Sequence, residues 1–265
     1  MKPKTQAIVL PLILLTILII AWEIVARKAL IAFWIVPSPS AVVKVFFIHP
    51  ELIWQHLLPT LLASVGGLMI SILLGVITAI LMDVSRAFKR LIYPYMVISQ
   101  TVPIIAIAPL LIIWFGYGIS AKIFTVILIC FFPIALNLYD GFQQVSVDHQ
   151  RLFKAMGASS WKTFRLLKFP AALPGFFTGM KLAATYSVMG AVIGEWLGGS
   201  AGLGIYMTRA TKSFQTAHVF AVILVIIALS MLLFGIVAML ERILLRWRYQ
   251  HLDTYEEPEQ THRRA

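Results

Sequence analysis

Charge is what this sequence has least of. Asp, Glu, Lys and Arg together make up 12% of its 265 residues, and 60% are hydrophobic. A soluble domain carries about 25% charged residues, so the shortfall excludes a water-facing surface for most of the chain. Cysteine is scarcer still: Cys130 stands alone in an apolar run. One cysteine excludes an internal disulfide and a thiolate zinc site, and it reads as a small buried hydrophobe. The six histidines, at 49, 56, 149, 218, 251 and 262, are too scattered to suggest a metal constellation. Also missing are Gly-x-x-x-x-Gly-Lys-[Ser/Thr] and His-Glu-x-x-His. These absences exclude a P-loop for ATP phosphates and a zinc-protease helix. No catalytic residue, metal or cofactor is assigned to the chain.

What the sequence does have is long apolar runs, and a helix of roughly 20 apolar residues crosses about 30 Å of hydrocarbon. The run Ile8–Ala26 follows Lys2 and Lys4. It exceeds a signal-peptide core, and Arg27-Lys28 stands where cleavage would fall, so it reads as an uncleaved first span. Between 27 and 57 lie Trp34, Pro37-Ser38-Pro39-Ser40 and the amphipathic stretch Ala41–Ile48, a short interfacial helix with Ser40 as its cap. The second span is Leu57–Met82 and the third Leu91–Phe115. The third contains Pro94, Pro103 and Pro109, which predict kinks or breaks, tolerated at membrane depth where neighbours or a cavity satisfy the freed backbone. Ala121–Asp140, with Pro133 inside it, is the fourth span, Pro170–Leu197 the fifth and Ala217–Leu240 the sixth. Gly198–Thr216 reads as a loop and Glu241–Ala265 as a loosely ordered tail. The chain thus divides into residues 1–56 (first span and interfacial segment), a core over 57–240 containing the polar segment 141–169, and a tail over 241–265.

With the N-terminus inside, the inner segments hold 15 Lys and Arg and the outer segments 6. Positive residues favour the cytoplasmic side, which gives an all-α integral membrane fold with six spans and both termini cytoplasmic. The net charge of +11 is spread in short clusters between apolar runs. That is the pattern of orienting loops, and it argues against nucleic acid as a partner.

On the fifth span Gly175, Gly179, Ala183 and Ser187 recur every four residues, and Gly190, Gly194 and Gly198 repeat the spacing. Small residues so placed make a flat face for close helix packing, which puts this helix at the centre of the bundle. Glu195, near the outer end, is either functional or solvated at the interface, and Lys181 can snorkel to the inner one. Gln100, Asn137, Thr185 and Tyr186 are polar groups in apolar helices. Each lines a pathway or bonds a neighbouring helix.

The segment 141–169 is the most informative. Leu152, Phe153 and Met156 share one face of a short helix that Gly157 ends. Ser159 or Ser160 then caps a second helix carrying Trp161, Phe164 and Leu167 on one side. The pattern fits a docking element with apolar knobs, and equally an amphipathic hairpin lying on the membrane.

This stretch resembles the cytoplasmic loop of binding-protein-dependent ABC importer permeases, whose form is Glu-Ala-Ala, three residues, Gly, nine residues, Ile, one residue, Leu-Pro. Gly157 is followed at full spacing by Leu167-Lys168-Phe169-Pro170. Arg151-Leu152-Phe153 stand where Glu-Ala-Ala is expected, so the carboxylate contact is not carried over. Val36-Pro37-Ser38-Pro39-Ser40, and Ala108-Pro109-Leu110 through Trp114-Phe115-Gly116-Tyr117-Gly118, resemble the nitrate, sulfonate and taurine branch. Ala184-Thr185-Tyr186-Ser187-Val188 through Gly194-Glu195-Trp196-Leu197-Gly198, with Gly202-Leu203-Gly204, look most like permeases for thiamine pyrimidine precursors.

The resemblance implies a type I importer permease in the bacterial inner membrane. It would pair with a second copy of itself amid membrane lipid, receive solute from an extracytoplasmic binding protein and bind a separate ABC ATPase dimer that holds the ATP. The ATPase-contacting residues it implies are Arg151, Leu152, Phe153, Ala155, Met156, Gly157, Ala158, Leu167 and Pro170. Aliphatic sulfonate, taurine, nitrate and riboflavin are alternative solutes. A secondary transporter would need coupling groups at mid-membrane; Glu195 and Lys181 are the only candidates and neither is central. No catalytic pair supports a membrane enzyme.

Overall fold

The computed structural model describes residues 3–28 and 32–247, and the described residues contain helices and no strand. Helix α1 (Pro3–Arg27) corresponds to the first apolar run, and its apolar side chains from Leu10 to Ile20 face outward, as lipid contact requires. Its Glu23 carboxylate accepts the Ser40 N–H at 3.0 Å and the Ser40 hydroxyl at 2.7 Å. That pins α2 (Pro39–Ile48), whose cap is Ser38 and not Ser40. Pro39, with its fixed φ and missing N–H, takes the first helical position, which leaves the preceding Ser38 to accept from Ala41 N.

Helix α3 (Pro50–Val84) begins seven residues before the expected Leu57. Pro50 fits the first turn, Glu51 complements the helix dipole there, and His56 is buried by later parts of the chain. At 1.5 Å per residue its 35 residues span about 52 Å, more than a bilayer core needs.

Helices α4 (Arg86–Ser99) and α5 (Ile104–Phe115) meet at an angle of 105° across residues 100–103. Pro103 removes a donor and forces extended backbone before it. The Ser99 and Thr101 hydroxyls bond back to Met96 O and Ile98 O at 2.8 and 2.7 Å, so the broken end is satisfied from within. The expected third span is therefore two helices. Counted by length and composition, the described residues hold five crossing helices, or six if this pair counts as one.

The core is built on α6 (Ile119–Gln143) and α9 (Phe169–Gly198), which run antiparallel in close contact. A Cβ at Gly175 or Gly179 would come within 2.5 Å of the Asn137 or Pro133 carbonyl oxygen, and one at Gly194 within 3.0 Å of Lys122 Cα. Gly190 faces Val126 in the same way, and between these points Cys130 Sγ donates to Ala183 O at 3.2 Å. Helix α3 lies parallel to α6: Gly67 meets Val126 and Gly75 meets Ile134. Gly179→Leu is expected to strain this packing by about 1–3 kcal/mol or more. Gly235→Leu, where a Cβ meets nothing within 4 Å, is the matched control. Size-exclusion profiles in detergent should show loss of the folded peak for the first variant alone.

Two further expectations change. The segment 198–216 is not all loop, since it holds helix α10 (Leu203–Lys212). Gly202, at φ +135°, supplies backbone that other residues rarely adopt, and this turns the chain back into a helix. Helix α11 (Thr216–Leu244) runs past Leu240, so Glu241 belongs to it and not to the tail. The extra turn is held by Lys181 of α9, whose ammonium donates to Glu241 at 2.8 Å instead of snorkelling. The rest of the expected tail, from 248, lies outside the described residues.

Candidate translocation pathway and coupling loop

The segment joining α6 to α9 folds as two short helices. Ser146 caps α7 (Val147–Ala155), accepting from His149 N, and Ser159 caps α8 (Ser160–Thr163), accepting from Lys162 N at 3.3 Å. Gly157 turns the chain at φ +77°. The Gly157 and Ala158 N–H groups return to Lys154 O and Phe153 O at 2.9 and 3.0 Å, closing the end of α7. Leu152 on α7 and Met156 at its C-terminal cap are 56% and 76% exposed, while Phe153 is half-buried. Arg151, Ala155 and Gly157 are exposed, and Ala158, Leu167 and Pro170 are half-buried.

After α8 the helix widens into a π turn, Phe164–Lys168, before α9. Pro170 has no N–H for an ordinary helical bond to Leu166, and the Phe169 N–H reaches Phe164 O instead. Trp161 is exposed and stacks on Phe164 at 5.9 Å, Phe164 leans on Phe142 of α6, and Leu167 is half-buried. A cleft of about 480 Å³ opens beneath, lined by Asp83, Gln150, Lys154, Trp161 and Lys168. Lys168 is paired with Asp83 at 2.9 Å, which ties the loop to the end of α3.

A second cavity, of about 360 Å³, lies at the α4–α5 break, with walls from Ser99, Gln100, Ile104, Phe132, Tyr186 and Met189 among others. Two of the predicted pathway residues, Gln100 and Tyr186, meet here. The other three do not. Asn137 packs against Gly179, with its amide donating to Pro133 O at 2.7 Å. Thr185 bonds to Lys181 O within its own helix. Glu195 is fully buried at the α10 end, so it is not solvated at an interface.

The surroundings of Glu195 form a node that the sequence reading missed. Its carboxylate accepts the Thr60 hydroxyl at 2.9 Å and the Gly204 N–H at 2.8 Å, and lies 3.4 Å from Lys122 Nζ. Thr60 Oγ1 accepts the Leu203 N–H at 2.9 Å, His56 Nδ1 accepts the Gly202 N–H at 3.0 Å, and Lys122 also donates to Ala201 O. The first N–H groups of α10 are thus satisfied by side chains of α3 and α9, with a carboxylate at the positive end of the helix dipole. Gly202 and Gly204 leave no room for a Cβ beside Glu195. Lys122, one of the six Lys and Arg counted on the outer side although it falls at the start of the fourth span, is buried in the first turn of α6. A signal was present: an acid buried in an apolar helix needs a cation, and Lys122 is the nearest one before an apolar run at that end.

Long apolar helices around a closely packed α6–α9 core, a helix broken at a cavity and a polar two-helix loop between spans define a polytopic membrane transport subunit. The family described as "Binding-protein-dependent transport system inner membrane component" matches residues 71–246, and this chain belongs to that family. It is an ABC importer permease, a multi-pass protein of the bacterial inner membrane. It is 39% identical over 249 residues to the formylaminopyrimidine transport permease of Halalkalibacterium halodurans, covering 94% of this chain and 99% of that one. It is also 39% identical to a probable ABC transporter permease of Haemophilus influenzae over 224 residues, 84% and 91% of the two chains. A riboflavin transport permease of Chloroflexus aurantiacus is 30% identical over 235 residues, 88% of each.

Proposed function

We propose that this permease passes a thiamine pyrimidine precursor of the formylaminopyrimidine kind into the cytoplasm. A binding protein delivers the solute, and an ATPase dimer that holds the ATP drives the cycle. Support for the solute comes from the 39% identity extending over nearly the full length of both chains. The six-span arrangement is supported by one observation. Because α3 and α6 run parallel, the α4–α5 pair that joins them has to cross the membrane in the opposite direction. Both termini and the 141–169 loop then share the cytoplasmic side, in keeping with the Lys and Arg asymmetry. The loop, with Leu152, Phe153 and Met156 as its grip, is the coupling element that follows the ATPase. Two copies of the chain face one another across the cavity at the α4–α5 break, covering the outward-facing Ile113 and Trp114, which are 75% and 66% exposed.

The topology is tested by single-cysteine labelling in a Cys130-free background. An impermeant reagent added from outside is expected to modify Lys212→Cys and to leave Lys162→Cys untouched. Modification of Lys162→Cys from outside would overturn both the orientation and the docking role of the loop.

A further inference from the structure

The cavity at the α4–α5 break contains no ionic side chain. Its polar groups are the Gln100 amide, the Ser99 hydroxyl and the Tyr186 phenol, set among Phe132, Met189 and aliphatic walls. Gln100, at the break itself, and Tyr186, on α9, are both exposed. Three ion pairs among the described spans lie elsewhere. Lys122 pairs with Glu195 at the α10 end, Lys181 with Glu241 against α11, and Lys168 with Asp83 at the loop end. None of the six lines the cavity.

An ion crossing a low-dielectric constriction needs an opposite charge, a retained water shell or a dense ring of neutral dipoles in its place, and pathways for anions are commonly ringed by Lys or Arg. A lining of amide, phenol and aromatic groups serves a different solute. It offers a few neutral hydrogen-bonding groups beside aromatic and aliphatic walls, which suit a ring. Resting on the proposed importer role, we infer that the pathway is selective for uncharged, planar, hydrogen-bonding heterocycles, with Gln100 and Tyr186 as its specificity-determining residues. Sulfonates, taurine and nitrate are disfavoured, because the few neutral donors of the cavity, with no cationic side chain beside them, replace only part of the water that an anionic group gives up.

The test uses the permease assembled with its ATPase and its own binding protein in proteoliposomes. The probes are formylaminopyrimidine, riboflavin and taurine, with membrane potential set by potassium and valinomycin. ATP-driven uptake of a neutral ring compound is expected, at a rate that does not change between zero and inside-negative potential. Gln100→Leu and Tyr186→Phe should each lower uptake by about tenfold, the scale of one lost polar contact to a bound group. ATP hydrolysis stimulated by the loaded binding protein should persist in both, which separates a pathway defect from misfolding. Gln100→Asn, which keeps the amide, should recover part of the rate.

Taurine uptake at the rate of a neutral probe, a rate that varies with potential, or parental uptake by both Gln100→Leu and Tyr186→Phe would each overturn the inference while leaving the importer intact. Uptake of riboflavin alone would change the named solute and support the inference. Uptake of no probe, with the ATPase bound, would bring down the importer reading and this inference with it.

Discussion

Phe153→Asp and Gly157→Val are expected to leave the chain inserted and folded but to separate it from its ATPase. Between them these variants remove the grip and the turn of the coupling loop. Burying one such side chain is worth about 1.5–3 kcal/mol, so its replacement by a carboxylate should weaken docking by roughly ten- to a hundredfold. Gly157 acts through backbone alone: a Cβ there would meet nothing within 4 Å, yet its φ is +77°. A β-branched residue is a severe outlier in that region, whereas asparagine enters it more readily. The graded outcome follows: pull-down of the ATPase should fail with Gly157→Val and survive in part with Gly157→Asn. Equal binding by all three variants would show that the loop is not the coupling element.

The second large effect belongs to the node at the other end of the molecule. Lys122→Met leaves the Glu195 carboxylate fully buried without its cation, and removing one partner of a buried pair costs about 3–5 kcal/mol. Thermal unfolding in detergent should show a large fall for Lys122→Met. Lys122→Met combined with Glu195→Gln should recover most of the loss, because the amide oxygen still accepts the Gly204 N–H and no charge is left unpaired. If the single and double variants are equally unstable, the ion pair is not what holds α10 against α3, α6 and α9. Thr60→Val, which strands both the Leu203 N–H and one carboxylate contact, should fall between them.

These two ends of the protein differ in how far their sequence could be read. The loop was legible because its determinants are local. Ser146 and Ser159 cap the helices that follow them, and Gly157 marks a turn that only a positive φ can make. Its one surprise, the π turn, also has a local cause in Pro170. The four-residue spacing of glycines on α9 likewise marked a flat face, because that periodicity is a property of one helix. Which helix meets it is not, and the contact with α6 came only with the structure.

Beyond an acid in want of a cation, the Glu195 node was illegible for the same reason. Its members come from residues 56, 60, 122, 195 and 202–204, so no window of sequence contains them. Hydropathy counting placed Lys122 among orienting charges and Gly198–Thr216 in a loop, because neither burial nor long-range capping leaves a periodic trace. Likewise, Asn137 and Thr185 could not be told from Gln100 and Tyr186 by composition. All four are polar groups in apolar helices, and only the α4–α5 break decides which of them open onto a cavity.

The central claim is that ATP hydrolysis by a partner, transmitted through the 141–169 loop, drives solute through this chain. The most direct measurement is uptake of labelled formylaminopyrimidine into vesicles holding the permease–ATPase complex, with the binding protein outside and ATP or a non-hydrolysable analogue within. The account predicts accumulation with ATP alone, lost in Gly157→Val while the isolated ATPase still hydrolyses ATP. Accumulation driven by a proton or sodium gradient in vesicles that hold the permease without its ATPase would contradict it.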